Sequence, residues 1–276
     1  MIFQLFVRPL ALLSLALAMV SAPGFAQTAA KTKVLWLGQS AFKITSPGGK
    51  VIITDPWLLQ NPITPPQYKH LEALGKVDVL LVSHGHIDHF ADAPALAILN
   101  KIPMYAPGDL NWSVGLLGIL PPEQLPRLNK GGIVNPVPGI TVTAVHAEHS
   151  SVLIWKNPAT GKNETHVGGE PLGFIIEMEN GFKIYFMGDT GLFGDMNFIA
   201  EHYKPDLVLA PIGGNFTMGP EDAAFAMREW LKPKVVIPMH YGTNPLALGT
   251  PAQFIQAMGA SATKVLVLKP GEAAEF

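Results

Sequence analysis

The chain has 276 residues, of which 48% are hydrophobic and only 14% charged, enough apolar material for a sizeable core or a layered α/β sandwich. A formal net charge of −2 supplies no basic face for nucleic acid and points to a small-molecule substrate instead. With no cysteine anywhere, neither a disulfide nor a thiolate ligand is available, so any metal must be held by His, Asp or Glu.

Residues 1–26 carry a single base, Arg8, then an apolar run over 10–20, then small residues at Gly24 and Ala26. This is the pattern of a secretory signal peptide, too short and too weakly flanked to predict a spanning helix. Cleavage after Ala26 would leave residues 27–276 as an exported protein, periplasmic or secreted, with no stable membrane span.

The mature chain opens with short apolar runs at 34–37, 41–45 and 51–54, separated by turn residues, which read as a meander of strands. The third run ends at Asp55-Pro56, where Asp55 either caps a turn or orients a ligating imidazole. Residues 58–70 hold three prolines and read as a loop. The β-branched run 77–82 then delivers Ser83-His84-Gly85-His86-Ile87-Asp88-His89, three imidazoles and a carboxylate in the turn after a buried strand. That is where α/β folds place their chemistry. His84 and His86 can enter one pocket while Asp88 and His89 swing to a neighbouring point, which suits two adjacent cations better than one.

A helix is expected over 93–99 with proline in its first turn, followed by a short strand at 102–105. Residues 110–120 are unusually apolar; core packing accounts for them, or a wall for a nonpolar substrate. The run 140–145 alternates as a strand and ends at His146, with Glu148 and His149 close behind. Strands at 151–155 and 173–178 flank an expected insertion, 156–171, rich in polar and turn residues. Further strands at 182–187, 207–210 and 234–239 lead into Gly188-Asp189-Thr190, Pro211-Ile212-Gly213-Gly214-Asn215 and His240-Tyr241-Gly242. Helices are expected over 221–231 and 252–258, and a last strand over 264–268. Asp88 with His89, His146, Asp189 and His240 all stand at the ends of apolar strands. No linker or repeat interrupts 27–276, which predicts a single α/β domain of two mixed sheets inside helices.

These residues resemble the metallo-β-lactamase superfamily, an αββα sandwich of two mixed β-sheets flanked by helices that binds one or two metals at one edge. The likeness runs from about Val34 to the C-terminus. Within the superfamily, Gly188-Asp189-Thr190, the string Pro211 to Pro220 and Met239-His240-Tyr241 resemble predicted metal-dependent hydrolases related to ascorbate-6-phosphate lactonase. By position, the resemblance implies that His84, His86 and His146 hold one metal, that Asp88, His89 and His240 hold a second, and that Asp189 bridges them. His149 is the alternative to His146, and strand phase favours His146. One departure stands out: relatives commonly have His in an early Gly-His-Ser string, whereas this chain has Gly38-Gln39-Ser40, so acid-base chemistry at that point is lost or moved.

The implied function is an exported hydrolase that uses a metal-bound hydroxide at a dinuclear site to cleave an ester, lactone or phosphodiester. Asp88 and Asp189 would hold metal and orient the nucleophile. Tyr241 and Asn215 are candidate donors to an oxyanion or substrate, or else Tyr241 packs and Asn215 caps a turn. Zinc is the first expectation from His/Asp ligation, with manganese or iron next. The rivals on the same fold are a β-lactam hydrolase and a di-iron redox enzyme. The latter is disfavoured by His86, where flavodiiron relatives usually carry a carboxylate. With no basic cluster for a phosphate, the apolar 110–120 run leans toward an uncharged or acyl substrate. His70, His166 and His202 are expected on the surface or in loops.

Overall fold

A computed structural model describes residues 1–2 and 30–276; the expected signal peptide falls almost entirely outside the described residues. In chain order the strands are β1 (Lys33–Gly38), β2 (Ala41–Thr45), β3 (Val51–Thr54), β4 (Val79–Leu81), β5 (Met104–Pro107), β6 (Arg127–Leu128), β7 (Ile133–Val137), β8 (Ile140–His146), β9 (Val152–Lys156) and β10 (Asn163–Val167). They continue with β11 (Leu172–Glu177), β12 (Lys183–Phe186), β13 (Leu207–Pro211), β14 (Val235–Met239), β15 (Lys264–Val265) and β16 (Ala273–Glu275). The helices are α1 (Ile87–Phe90), α2 (Ala93–Asn100), α3 (Gly108–Leu116), α4 (Met196–Tyr203), α5 (Pro220–Phe225) and α6 (Pro251–Met258). Beyond α5 the chain continues helically in a wider, π-type winding over Ala226–Leu231. No helix among the described residues is long and apolar enough to cross a membrane.

Two seven-stranded mixed sheets result, ordered β16-β1-β2-β3-β4-β5-β6 and β15-β14-β13-β12-β11-β8-β7. Their facing sides share one core, to which Trp36, Phe42 and Ile44 contribute from the first sheet and Phe174, Phe186 and Leu209 from the second. The outer side of the first sheet packs on α2 and α3 through residues such as Leu80, Leu96 and Leu110. The outer side of the second packs on α4 to α6 through Ile199, Met227 and Phe254. Alternate residues of each strand thus feed different cores, as the two-residue strand period requires, and four layers follow: helix, sheet, sheet, helix.

The topology gathers the functional loops. Strands β3, β4 and β5 are parallel, and so are β12, β13 and β14. Strand β8 runs antiparallel to β11, which runs antiparallel to β12, so β8 ends on the same edge as β12. The loops carrying residues 83–89, 147–150, 187–191, 211–219 and 240–244 therefore leave along one edge of the sandwich.

Several expectations are corrected. The polar stretch 156–171 is not a plain insertion: it contains β10, which pairs with β9 as an isolated hairpin from Asn163↔Lys156 to Val167↔Val152. Its alternating polar sequence gave no apolar signal because only one side of the hairpin meets the protein. Strands β6 and β16, two and three residues long, are too short for a periodic signal, and β7 is interrupted by Asn135-Pro136. Of the apolar 110–120 run, Leu110, Val114 and Leu120 are buried under the first sheet, so core packing explains most of it.

Candidate metal centre

The cluster begins with Asp55, which ends β3 in a left-handed conformation (φ 38°) and is fully buried. Its Oδ1 accepts from the Ser83 backbone N–H at 2.7 Å, and its Oδ2 accepts from the Ser83 hydroxyl at 2.6 Å and from His89 Nδ1 at 2.7 Å. With its proton given to Asp55, the Ser83 oxygen accepts from His84 Nδ1 at 2.9 Å. One carboxylate thus fixes the rings of two histidines and directs both Nε2 atoms the other way. Of the two roles open to Asp55 in the sequence, the structure shows that of orienting an imidazole.

On the far side of those rings the donors converge. His84 Nε2 lies 2.9 Å from His86 Nδ1, and the His149 ring stands edge-on to both, with centroids 5.1 and 5.2 Å away. Asp189 Oδ2 lies 3.0 Å from His240 Nε2, 3.2 Å from His89 Nε2, 3.6 Å from His149 Nε2 and 4.0 Å from His84 Nε2. Asp88 Oδ2 is 3.5 Å from His89 Nε2 and 3.6 Å from His240 Nε2. Two donor groups can be drawn, His84 with His86 and His149, and Asp88 with His89 and His240; within each group the donor atoms lie within 4.8 Å of one another. A third grouping, Asp55 with His84 and His89, is the orienting network itself, since both Asp55 oxygens are already satisfied.

Among the described residues, the buried His89 Nε2 and His240 Nε2 meet only the carboxylates of Asp189 and Asp88 and, like the buried Asp189 Oδ1, make no hydrogen bond of good geometry. Leaving such groups unpaired is costly, on the order of 1–3 kcal/mol each. Divalent cations would satisfy them, and imidazole with carboxylate is the donor mixture that zinc, manganese and iron accept. The residues fit the metal.

Electrostatics without a cation show the same demand. Burial alone would lower the His240 pKa, but Asp189 and Asp88 beside it push it up to about 9. His89 is buried too, yet the carboxylates of Asp189, Asp88 and Asp55 hold it well above the usual histidine range. Conversely, burial pushes Asp189 upward, and His240 with His89 bring it well below the carboxylate range. Burial lowers His84, His86 and His149, with neighbouring imidazoles adding to the effect. Protons occupy the carboxylate-rich half, where a cation would displace them.

The structure moves one expected ligand. His146 remains in the β8 ladder, opposite Leu172, and its ring faces Phe193 with centroids 4.7 Å apart. Its Nε2 lies 3.1 Å from Glu148 and its Nδ1 3.5 Å from Lys130, outside the cluster. The chain must leave the strand before it can turn inward. Glu148 N–H donates to Thr190 Oγ1 at 2.9 Å, and Gly191 N–H donates to Glu148 O at 2.8 Å, so the loop is tied beside Asp189 and His149 is the ring delivered.

Tyr241 and Asn215 are also corrected. Tyr241 packs against Trp36 with centroids 5.2 Å apart, and burial pushes its hydroxyl up to about 12. Asn215 occupies an exposed left-handed turn (φ 56°). Neither lines the cavity of about 480 Å³ that opens over the cluster, and none of residues 110–120 does. Of the other histidines, His166 lies 3.8 Å from Glu164 and His202 stacks on Phe198, both outside the site, and His70 is exposed.

Gln39, singled out in the sequence as a departure, lines that cavity together with three polar groups that were not, Ser150, Thr243 and Asn244. Gln39 is buried in a left-handed conformation (φ 53°). Its amide donates to Asp88 Oδ2 at 2.7 Å, its Oε1 accepts from the Thr243 hydroxyl, and its backbone carbonyl accepts from His240 N–H at 3.1 Å and Trp36 Nε1 at 3.0 Å. Gln39, Asp55 and His240 (φ 57°) are three of the seven non-glycine residues with positive φ among the described residues, and three others are lysines that follow helices. Strained backbone is therefore concentrated where side chains are aimed into the site. The signal for Gln39 was the position itself, the first residue after β1 and the place where the resemblance expects a histidine.

Comparison with known proteins agrees with this geometry. Residues 33–240 match the family described as Beta-lactamase superfamily domain. A UPF0173 metal-dependent hydrolase of Polaromonas sp. (strain JS666) is 70% identical over 270 residues, covering 96% of this chain and 99% of its own. One from Polynucleobacter asymbioticus is 58% identical over 247 residues, covering 89% and 87%. Among solved structures, Igni18, a metallo hydrolase from the hyperthermophilic archaeon Ignicoccus hospitalis, aligns with a TM-score of 0.75 at 32% identity, covering 89% of this chain and 98% of its own.

Proposed function

The chain belongs to the β-lactamase superfamily and is a metal-dependent hydrolase of the metallo-β-lactamase fold, and from that premise we propose a dinuclear centre that cleaves an ester, lactone or phosphodiester. His84, His86 and His149 would hold one divalent cation and Asp88, His89 and His240 the other, with Asp189 shared between them. Zinc suits this donor set best, with manganese and iron next. The cations supply Lewis acidity toward the scissile bond and lower the pKa of a water. The observation that carries this reading is the convergence of buried imidazole and carboxylate donors in two groups, each within 4.8 Å, whose His89 Nε2, His240 Nε2 and Asp189 Oδ1 make no hydrogen bond of good geometry.

The chain's own residues do the rest. Asp88, partly exposed at the cavity floor, has an oxygen placed to take a proton from the attacking water and to keep it oriented. Burial pushes the Asp88 carboxyl upward, but His89 and His240 hold it below the usual carboxylate range, so it is ionised across neutral pH. Gln39 holds that carboxylate in place from the side. Ser150, Thr243 and Asn244 supply neutral polar groups at the cavity wall for the substrate carbonyl or leaving group. Export is part of the proposal, supported by the apolar 10–20 run and small residues before Gln27; an intact mass starting at Gln27 is the expected result.

The test is elemental analysis of protein purified without added metal, with His240→Ala alongside. About two equivalents per chain, falling toward one in the variant, is expected. Two equivalents unchanged in the variant, or no metal, would overturn the dinuclear reading.

A further inference from the structure

We propose that the substrate of this site is an uncharged ester or lactone bearing an aryl or alkyl group, and that Trp57, Ile87 and Phe216 form the wall that receives that group. This rests on the hydrolase reading above and narrows it. The apolar 110–120 run cannot be the basis, because it lies elsewhere; a different set of residues carries the argument.

Apart from the metal-donor residues, the cavity lining divides in two. One part is the neutral polar set, Gln39, Ser150, Thr243 and Asn244; the other is Trp57, Ile87 and Phe216. No lysine or arginine lines it. The charge of a phosphodiester would be met by the cations alone, with no guanidinium or ammonium among the described lining residues to add to them, whereas the neutral polar set is suited to an ester or lactone.

The apolar side is exposed in a way that calls for a partner. Ile87 is 60% and Phe216 42% exposed, although both border a concave site. Apolar surface left in water gains about 25 cal/mol per Å² when a ligand covers it. The wall is also held in place rather than loose. Asp92 accepts from the backbone N–H groups of Leu58 and Leu59 at 2.6 and 3.0 Å, anchoring the loop that carries Trp57. Ile87 opens α1 between two metal donors, and Phe216 sits in a turn closed by Gly214 N–H donating to Met218 O at 3.0 Å. A cavity of about 480 Å³ lies in the range that buries a ligand of ring or medium-chain size.

The reaction is a plain hydrolysis. Water oxygen adds to the acyl carbon, the carbon–oxygen bond to the leaving alkoxide breaks, and the water's proton passes by way of Asp88 to the leaving oxygen, giving a carboxylic acid and an alcohol. A lactone gives the open hydroxy acid by the same balance.

The experiment uses the zinc-loaded full-length protein with p-nitrophenyl acetate, butyrate and hexanoate, and with bis(p-nitrophenyl) phosphate. We expect kcat/KM to rise at least tenfold from acetate to hexanoate, since each buried methylene contributes about fourfold at most. The double variant Ile87→Ser/Phe216→Ser should flatten that gain with metal content unchanged. Phe216→Lys should raise the phosphodiester-to-hexanoate ratio of kcat/KM at least tenfold. A flat chain-length series in the unaltered protein, a gain that survives the double variant, or a phosphodiester KM no higher than that for hexanoate would overturn the proposal. If no ester or phosphodiester turns over despite two equivalents of zinc, the proposed ester, lactone or phosphodiester chemistry is what has failed. The wall is then decided by binding: heptanophenone should broaden in proton NMR with the unaltered protein and not with the double variant, and equal broadening in both would overturn it.

Discussion

Gln39 Nε2 donates to Asp88 Oδ2 at 2.7 Å across 49 residues of sequence, while Gln39 Oε1 accepts from Thr243. A chain of three side chains from three loops, Thr243 to Gln39 to Asp88, therefore aims a carboxylate of the metal centre. Every link holds without a titrating proton.

Removing the amide should leave the Asp88 oxygen free to rotate. A hydrogen bond to a charged group contributes about 1.5–3 kcal/mol, so Gln39→Leu should lower kcat/KM by roughly ten- to a hundredfold, mainly in kcat, with metal content retained. Gln39→His should recover part of this and add a new limb to the pH–rate profile near the ordinary histidine pKa of about 6.5. A Gln39→Leu variant with unaltered kcat would separate this residue from catalysis.

His149→Ala should lose close to one equivalent of metal by elemental analysis, while His146→Ala should keep both, because only the His149 ring meets His84 and His86. The opposite pattern would mean that the loop after β8 turns the other ring inward when loaded.

Asp55 touches no cavity, so its effect should appear in affinity rather than in the chemistry. Losing the partner of a ligating imidazole typically costs 10–100-fold in metal affinity. Asp55→Ala should show that loss in a competition titration against a chelator, together with a lower Tm from the unpaired Ser83 and His89 donors. Asp55→Asn, which keeps an acceptor, should fall between.

The metal-stripped protein should be most stable near pH 6.5. The folded-state pKa values of His240, about 9, and His89 lie above the unfolded value of about 6.5. Their contribution is full below 6.5 and is lost as pH rises through their folded-state values, about 9 for His240. His84, His86 and His149 are shifted the other way, so they withdraw stability as pH falls below 6.5. Thermal melts from pH 5 to 9.5 should trace that maximum, and zinc binding at pH 7.5 should release protons in calorimetry run in buffers of different ionisation enthalpy. Stability that rises steadily from pH 6.5 to 9.5 in stripped protein would contradict the charge pattern of the cluster.

Gly213→Ala should damage the centre from behind. A Cβ there would overlap the His240 carbonyl oxygen, a backbone atom that cannot rotate away. The strain should cost at least about 1–3 kcal/mol, seen as a lower Tm, and displacement of His240 should reduce metal content toward one equivalent.

Strand and ligand positions were legible because they obey local rules. Apolar runs set β1 to β4, β8 and β11 to β14, and the donors His84, His86, Asp88, His89, Asp189 and His240 follow directly where those runs stop. Parallel pairing then brings the stops to one edge, which a strand-then-ligand pattern already implies. The hairpin strand β10 was not legible, since its five residues, Asn163–Val167, lack an apolar alternation.

What the sequence by itself determined is the donor chemistry and its attachment to strand ends. Only the tertiary structure decided which way each loop turns. His146 and His149 are equal as donors and three residues apart, and the choice between them is made by two hydrogen bonds, Glu148 N–H donating to Thr190 and Gly191 N–H donating to the Glu148 carbonyl, from residues that arrive with a different strand. Likewise Tyr241 follows a ligand yet packs on Trp36, while Gln39 and Asp55 reach the cluster through partners distant in the chain. Periodicity fixes the side of a strand a residue occupies, but the direction of an exit loop depends on bonds to segments that sequence order does not place beside it.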